Sequence, residues 1–101
     1  MYKLDVSLKN KRLFDGCEID EVTEGNKTRL NLLTHPREAV LVVKRNLDMI
    51  IAEVPETQRD RIEITGQMTH WVYLAVCATV TPLFKRIFYS NGKKISIEIP
   101  K

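Results

Sequence analysis

The sequence predicts an α+β domain in which one mostly antiparallel sheet is covered by two helices. Three observations carry that reading. Apolar and polar residues alternate at 3–9, 28–32 and 61–65, the period of a strand with one wet face. Val40, Val43, Leu47, Ile50, Ile51 and Val54 recur at helical spacing. Near the C-terminus, Asn91-Gly92 joins two apolar runs, a strong hairpin signal. Helices that alternate with strands imply crossovers over a common sheet.

Each element has its own grounds. Leu4, Val6 and Leu8 give the first strand its apolar face. A second strand follows, with Asn10-Lys11 and Asp15-Gly16 both open as the turn before it; Asp-Gly is the stronger signal. Glu24-Gly25-Asn26 turns into a third strand carrying Thr28, Leu30 and Leu32. Thr34-His35-Pro36 opens a helix, with Thr34 as the expected cap and proline tolerated in the first turn. Pro55 stops it. A short strand spans residues 61–65, and a second helix is expected from Thr69 to about Val80, ended by Thr81-Pro82. Its valines weaken helix propensity and leave a buried strand open as the alternative. Strands at 83–89 and 94–99 close the chain, with Ile95, Ile97 and Ile99 expected to face inward.

Composition bounds the function. With 101 residues the chain makes one domain, and 44% hydrophobic with 29% charged residues is the ordinary soluble range. The longest apolar run, 71–80, is far short of the ~20 residues that cross a bilayer. Cys17 and Cys77 have no metal or redox spacing, which favours a reducing, cytoplasmic setting. A net charge of +3 does not announce a duplex-binding protein. Its distribution is uneven: the stretch 15–24 is acidic, whereas Lys85, Arg86, Lys93, Lys94 and Lys101 follow Pro82 against Glu98 alone. That second region suits a small anionic partner; the plain alternative is two solvated faces of opposite sign.

The second helix leaves no polar stripe from Trp71 to Val80. A helix apolar all round must be covered on every side. Either it is wedged inside the monomer, or the first helix covers part and a second copy of the chain the remainder.

Between strand and helix stands Thr65-Gly66-Gln67-Met68-Thr69-His70. A strand end, a glycine and a helix N-terminus direct unpaired N–H groups outward, a natural seat for phosphate. Thr65, Gln67, Thr69 and His70 add hydroxyl, amide and imidazole groups able to hold phosphate, ribose or a base edge. Met68 and Trp71 can flank a base, although a tryptophan heading an apolar helix is more often core. Arg37, Lys85, Arg86, Lys93 and Lys94 are the candidate counter-charges.

The tract Ile64-Thr65-Gly66-Gln67-Met68-Thr69-His70-Trp71-Val72-Tyr73-Leu74-Ala75 resembles the strand, Ser/Thr-Gly loop and Trp-bearing helix of the CRISPR-associated Csx-three ring nuclease family. With the following hairpin the likeness covers about residues 61–99. It implies a Csx-three-like fold, cyclic tetra-adenylate held between copies of a homo-oligomer with a tetramer favoured, and cleavage supported by histidine and acidic residues beyond the helix. This chain departs from the family there: no histidine follows His70, and 85–92 holds no carboxylate. It is therefore more similar to the soluble sensor domain of the Csx-twenty-three membrane effectors. That likeness implies messenger sensing for antiviral defence without cleavage, in the cytoplasm or on the cytosolic side of an inner membrane if a longer parent chain carries a membrane segment.

Other chemistry finds little footing. His35 and His70, the only candidate general bases, each head a predicted helix, where a cap or ligand-contact role is the commoner use. No serine sits in a nucleophile elbow, and the acidic stretch lacks the spacing of a calcium or zinc site. No catalytic residue, metal or cofactor is assigned. A metal-dependent phosphodiesterase using His70 and distant carboxylates is the enzyme alternative, and a protein-interaction module without a nucleotide ligand is the third reading.

Overall fold

The computed structural model describes residues 1–92 and 95–101. Strand β1 (Tyr2–Asp5) is followed by a hairpin of β2 (Ile19–Glu24) and β3 (Lys27–Leu32), helix α1 (Pro36–Ala52), strand β4 (Arg61–Thr65), helix α2 (His70–Val80), and strands β5 (Arg86–Ser90) and β6 (Ser96–Ile99). The main sheet has the order β1-β4-β5-β6. It is mixed: β1 pairs parallel with β4 and β4 with β5, while β5 and β6 are antiparallel. The expected single, mostly antiparallel sheet is corrected on both counts. Each helix returns the chain to the same end of the sheet and so imposes parallel pairing, and β2–β3 stands apart as a two-stranded sheet of its own.

Both helices pack on the face carrying Leu4, Val6, Ile62, Ile64 and Ile87. Val43, Leu47, Ile50 and Ile51 from α1 and Val72, Val76 and Val80 from α2 complete the core. The segment 7–18 dips into it through Leu13 and Phe14, and buried Asn46 fixes it there by donating to the carbonyls of Leu13 and Asp15, each at 2.8 Å. Asp15-Gly16 is consequently not a hairpin turn. The β2–β3 turn is Gly25-Asn26, closed between paired Glu24 and Lys27 with Gly25 at φ 61°.

Three further expectations change. The α1 cap is His35, whose Nδ1 accepts from the Arg37 amide at 3.1 Å; Thr34 accepts from the Glu18 amide at 2.7 Å and closes the hairpin base instead. Helix α2 forms, which decides against the buried strand, yet it is not wedged inside: Leu74 is 71% exposed. Finally, Ile97 and Ile99 sit opposite Tyr89 and Ile87 on the helix-bearing face, but among the described residues no helix buries β6. They and Ile95 are exposed rather than buried inward.

Neither helix ends on a basic residue of its own. Arg59 instead donates to the carbonyls of Val54 and Ile51 at 3.0 and 3.1 Å beyond α1. At the end of α2, the Lys101 ammonium donates to the carbonyls of Thr81, at 2.7 Å, and Phe84. Among the described residues no helix is long and apolar enough to cross a membrane.

Candidate functional site

The carboxyl ends of parallel strands are where helices begin and backbone groups are left over, so ligands gather there in open α/β sheets. In this chain the ends of β1 and β4 open into a cleft of about 1210 Å³. Asp5, Ser7 and the Thr65–Gly66 strand end line it together with Lys9, with Arg29 and Asn31 of β3, with Trp71 from the first turn of α2 and with His35, the cap of α1. The volume exceeds the ~300–1,000 Å³ of most small-molecule pockets.

The Thr65–Thr69 segment lies along this cleft, Gln67 and Thr69 exposed and Thr65, Gly66 and Met68 half-buried. Thr69 is the N-cap of α2 but its hydroxyl makes no capping bond, so the helix N-terminus is left to outside partners. The loop is held from below. Tyr73 donates its hydroxyl to the carbonyl of Gly66 and accepts from the Met68 amide at 3.2 Å. Burial, more than its neighbours Tyr89 and Asp5, pushes the Tyr73 pKa above its ordinary value, so the hydroxyl keeps its proton at neutral pH.

Gly66 has φ +101°, and its required smallness has an internal cause. A Cβ there would overlap Oδ1 of Asp5 and come within 3.0 Å of the Ser7 nitrogen and 3.2 Å of the Val6 nitrogen. The Asp5 carboxylate is fixed by accepting from the Ser7 amide at 2.8 Å. Glycine at this position thus lets β1 approach the loop; sequence reasoning assigns that freedom to an incoming ligand.

The other candidates separate. His70 faces a second, apolar groove of about 450 Å³ between α2 and the β5–β6 edge, with Tyr73, Leu74, Cys77, Tyr89 and Ile99. Burial raises the Cys77 pKa, so that thiol is a protonated wall group. Arg37 lies one residue past Pro36 in the first turn of α1, outside the cleft lining. Lys85 and Arg86 lie at the opposite end of the sheet, where β5 begins; Arg86 is occupied by a two-bond pair with Glu98, at 2.8 and 2.6 Å. Lys93 and Lys94 lie outside the described residues. The cationic groups that do line the cleft are Lys9 and Arg29, with Asp5 as the nearby acid. Their local sequence gives no sign of it, because only the pairing of β1 with β4 and the fold-back of the hairpin bring them together.

Among the described residues no group of three or more His, Cys, Asp or Glu side chains is arranged to hold a metal. Comparison with protein-family models, curated proteins and solved structures finds no match.

Proposed function

We infer that the cleft binds a cyclic oligoadenylate, cyclic tetra-adenylate in the first instance, shared between copies of the chain, and that the protein senses this messenger for CRISPR antiviral defence without cutting it. The observation that carries the reading is the convergence of the Thr65–Thr69 loop and the uncapped α2 N-terminus on one cleft lined by Lys9 and Arg29. Helix N-termini and basic side chains favour phosphate. The Trp71 ring offers a stacking surface for a base, and Asn31, Gln67 and Asp5 offer partners for base edges and ribose hydroxyls. The sequence likeness of residues 64–75 to the Csx-three family, with its Csx-three-like fold, supplies the specific ligand. The absence of histidine beyond His70 favours a sensor over a nuclease.

Labelled cyclic tetra-adenylate tests this. Retarded, intact ligand is the expected result, and Gln67→Ala with Arg29→Ala weakens retention at least tenfold. Linear product makes the protein a ring nuclease. No retardation at micromolar protein removes the nucleotide reading and leaves an interaction module.

A further inference from the structure

We propose that Asp5 is the residue with which the cleft reads a ribose 2′-hydroxyl, so that the site takes a ribonucleotide and rejects its deoxy counterpart. The inference rests on the nucleotide reading above and adds the choice of sugar to it. It begins from an acid in a cleft read as an anion site. Asp5 is the one carboxylate among the described residues that line the cleft, alongside Lys9 and Arg29. Neither cation pairs with it, and among the described residues Asp5 takes part in no ion pair. Its Oδ1 accepts from the Ser7 amide at 2.8 Å, whereas its Oδ2 accepts no hydrogen bond from a described residue.

Two contacts fix where that carboxylate stands. The Ser7 bond holds Oδ1, and Oδ1 lies against Gly66, where a Cβ would overlap it. Asp5 is also the register partner of Thr65, so it sits beside the start of the loop that leads to the α2 N-terminus. A phosphate seated on that loop brings its charge close to the carboxylate, which is unfavourable unless the ligand also gives the carboxylate a hydrogen. An ionised carboxylate only accepts. Oligoadenylate offers two kinds of donor, the sugar 2′-hydroxyl and the adenine amino group. The hydroxyl is on the carbon next to the one that carries the phosphodiester oxygen, whereas the amino group is at the far edge of the base. A carboxylate beside the phosphate seat therefore reaches the hydroxyl and not the amino group of the same nucleotide. Acids at strand ends hold ribose hydroxyls in other open α/β sheets. Asn31 and Gln67, which both donate and accept, are left for the base edge. A hydroxyl that donates to a half-buried carboxylate makes a charge-assisted bond, and a ring without it leaves that oxygen unpaired. The 2′-hydroxyl is what separates RNA from DNA, so one side chain at the end of β1 gives the cleft its choice of sugar.

Retention of three rings by the wild type and by Asp5→Asn tests the assignment. The rings are cyclic tetra-adenylate, its 2′-deoxy form and its 2′-fluoro form, the last keeping the ribose pucker but having no hydrogen to give. The wild type is expected to hold the hydroxyl ring about tenfold or more tighter than either analogue. Asp5→Asn keeps an oxygen for the Ser7 amide and turns an amino group to the ligand, so the preference is expected to shrink to about twofold or less. Equal retention of the hydroxyl ring and either analogue by the wild type overturns the proposal, and so does a preference that Asp5→Asn leaves intact. A purely structural role for Asp5 lowers retention of all three rings alike and leaves their ratio where it was. Should Asp5→Asn fail to fold, Asn31→Ala and Gln67→Ala are each expected to weaken the three rings by a common factor. Loss of the preference in either variant puts the acceptor there and overturns the proposal. A wild type that retains none of the rings removes the nucleotide reading and this inference with it, whereas retention without preference removes the inference alone.

Discussion

The hydroxyl of Tyr73, one turn into α2, donates to the carbonyl oxygen of Gly66, the first residue after β4. The Tyr73 hydroxyl oxygen in turn accepts from the Met68 amide, so a single side chain ties both flanks of Gln67 to the helix behind the cleft. Tyr73→Phe is expected to cost about 1 kcal/mol, the net worth of such bonds. Amide hydrogen exchange at Met68 should accelerate while exchange in α1 does not change.

Alkaline pH should act on the same contact. The Tyr73 pKa is raised above its ordinary 10.0, chiefly by burial, so the unfolded chain ionises first. Its contribution is complete below about pH 10 and is lost as pH climbs through the folded value. Tyr2, Cys17 and Cys77 are raised by burial as well and push in the same direction. Urea midpoints measured from pH 7 to 11 are expected to fall at the alkaline end, and to fall less steeply in Tyr73→Phe.

Gly66→Ala is expected to destabilise by about 2 kcal/mol or more, since φ +101° is strained for any side chain and the new methyl overlaps Asp5. Adding Asp5→Ala should recover part of the loss. Complete recovery is not expected, because the Ser7 and Val6 nitrogens at 3.0 and 3.2 Å are backbone and cannot swing away. Thermal melts of the two single variants and the double give the coupling directly.

Asn46→Ala leaves the carbonyls of Leu13 and Asp15 without their donor in or near the core. A loss of about 2 kcal/mol is expected, and Asn46→Leu should not restore it, because an apolar side chain of similar size still satisfies neither oxygen. Proteolysis within residues 7–18 reports whether the segment has lifted.

Lys101→Ala and Arg59→Ala remove the cations at the ends of α2 and α1. Each should lower stability by about 0.5–1.5 kcal/mol. Arg59→Lys should recover little, since an ammonium lacks the fixed planar spacing of guanidinium donors that spans the carbonyls of Val54 and Ile51.

How much of this was legible depended on the range of the cause. The helices were readable because the spacing of Val43, Leu47 and Ile50 and the stop at Pro55 are local. The strand at 61–65 and the loop at 66–69 were placed for the same reason. The two hairpin pairings were legible from their turns, but the parallel pairings were not. Nothing within the β1 residues reveals that Tyr2 lies beside Ile62, so parallel pairing and the mixed sheet escaped a reading based on hairpin signals. The α1 cap was missed by one residue because imidazole and hydroxyl both serve as acceptors, and Thr34 is needed at the hairpin base. Ile97 and Ile99 look like core by alternation alone. Only the count of helices against strands shows that the sheet outruns its cover. Lys9 and Arg29 joined the site through tertiary contact, whereas Lys85 and Arg86, chosen for their charge, stand at the far end of the sheet.

The parallel pairing of Tyr2–Asp5 with residues 62–65 has a consequence for how the cleft comes into being. Strand β1 leaves the ribosome some sixty residues ahead of its hydrogen-bonding neighbour β4, with the hairpin and all of α1 synthesised between them. Long-separation pairings close late because the chain between them loses entropy before any contact repays it. The Asp5–Thr65 side of the cleft is therefore among the last parts of the molecule to assemble, and a nascent chain halted before Thr65 lacks the cleft.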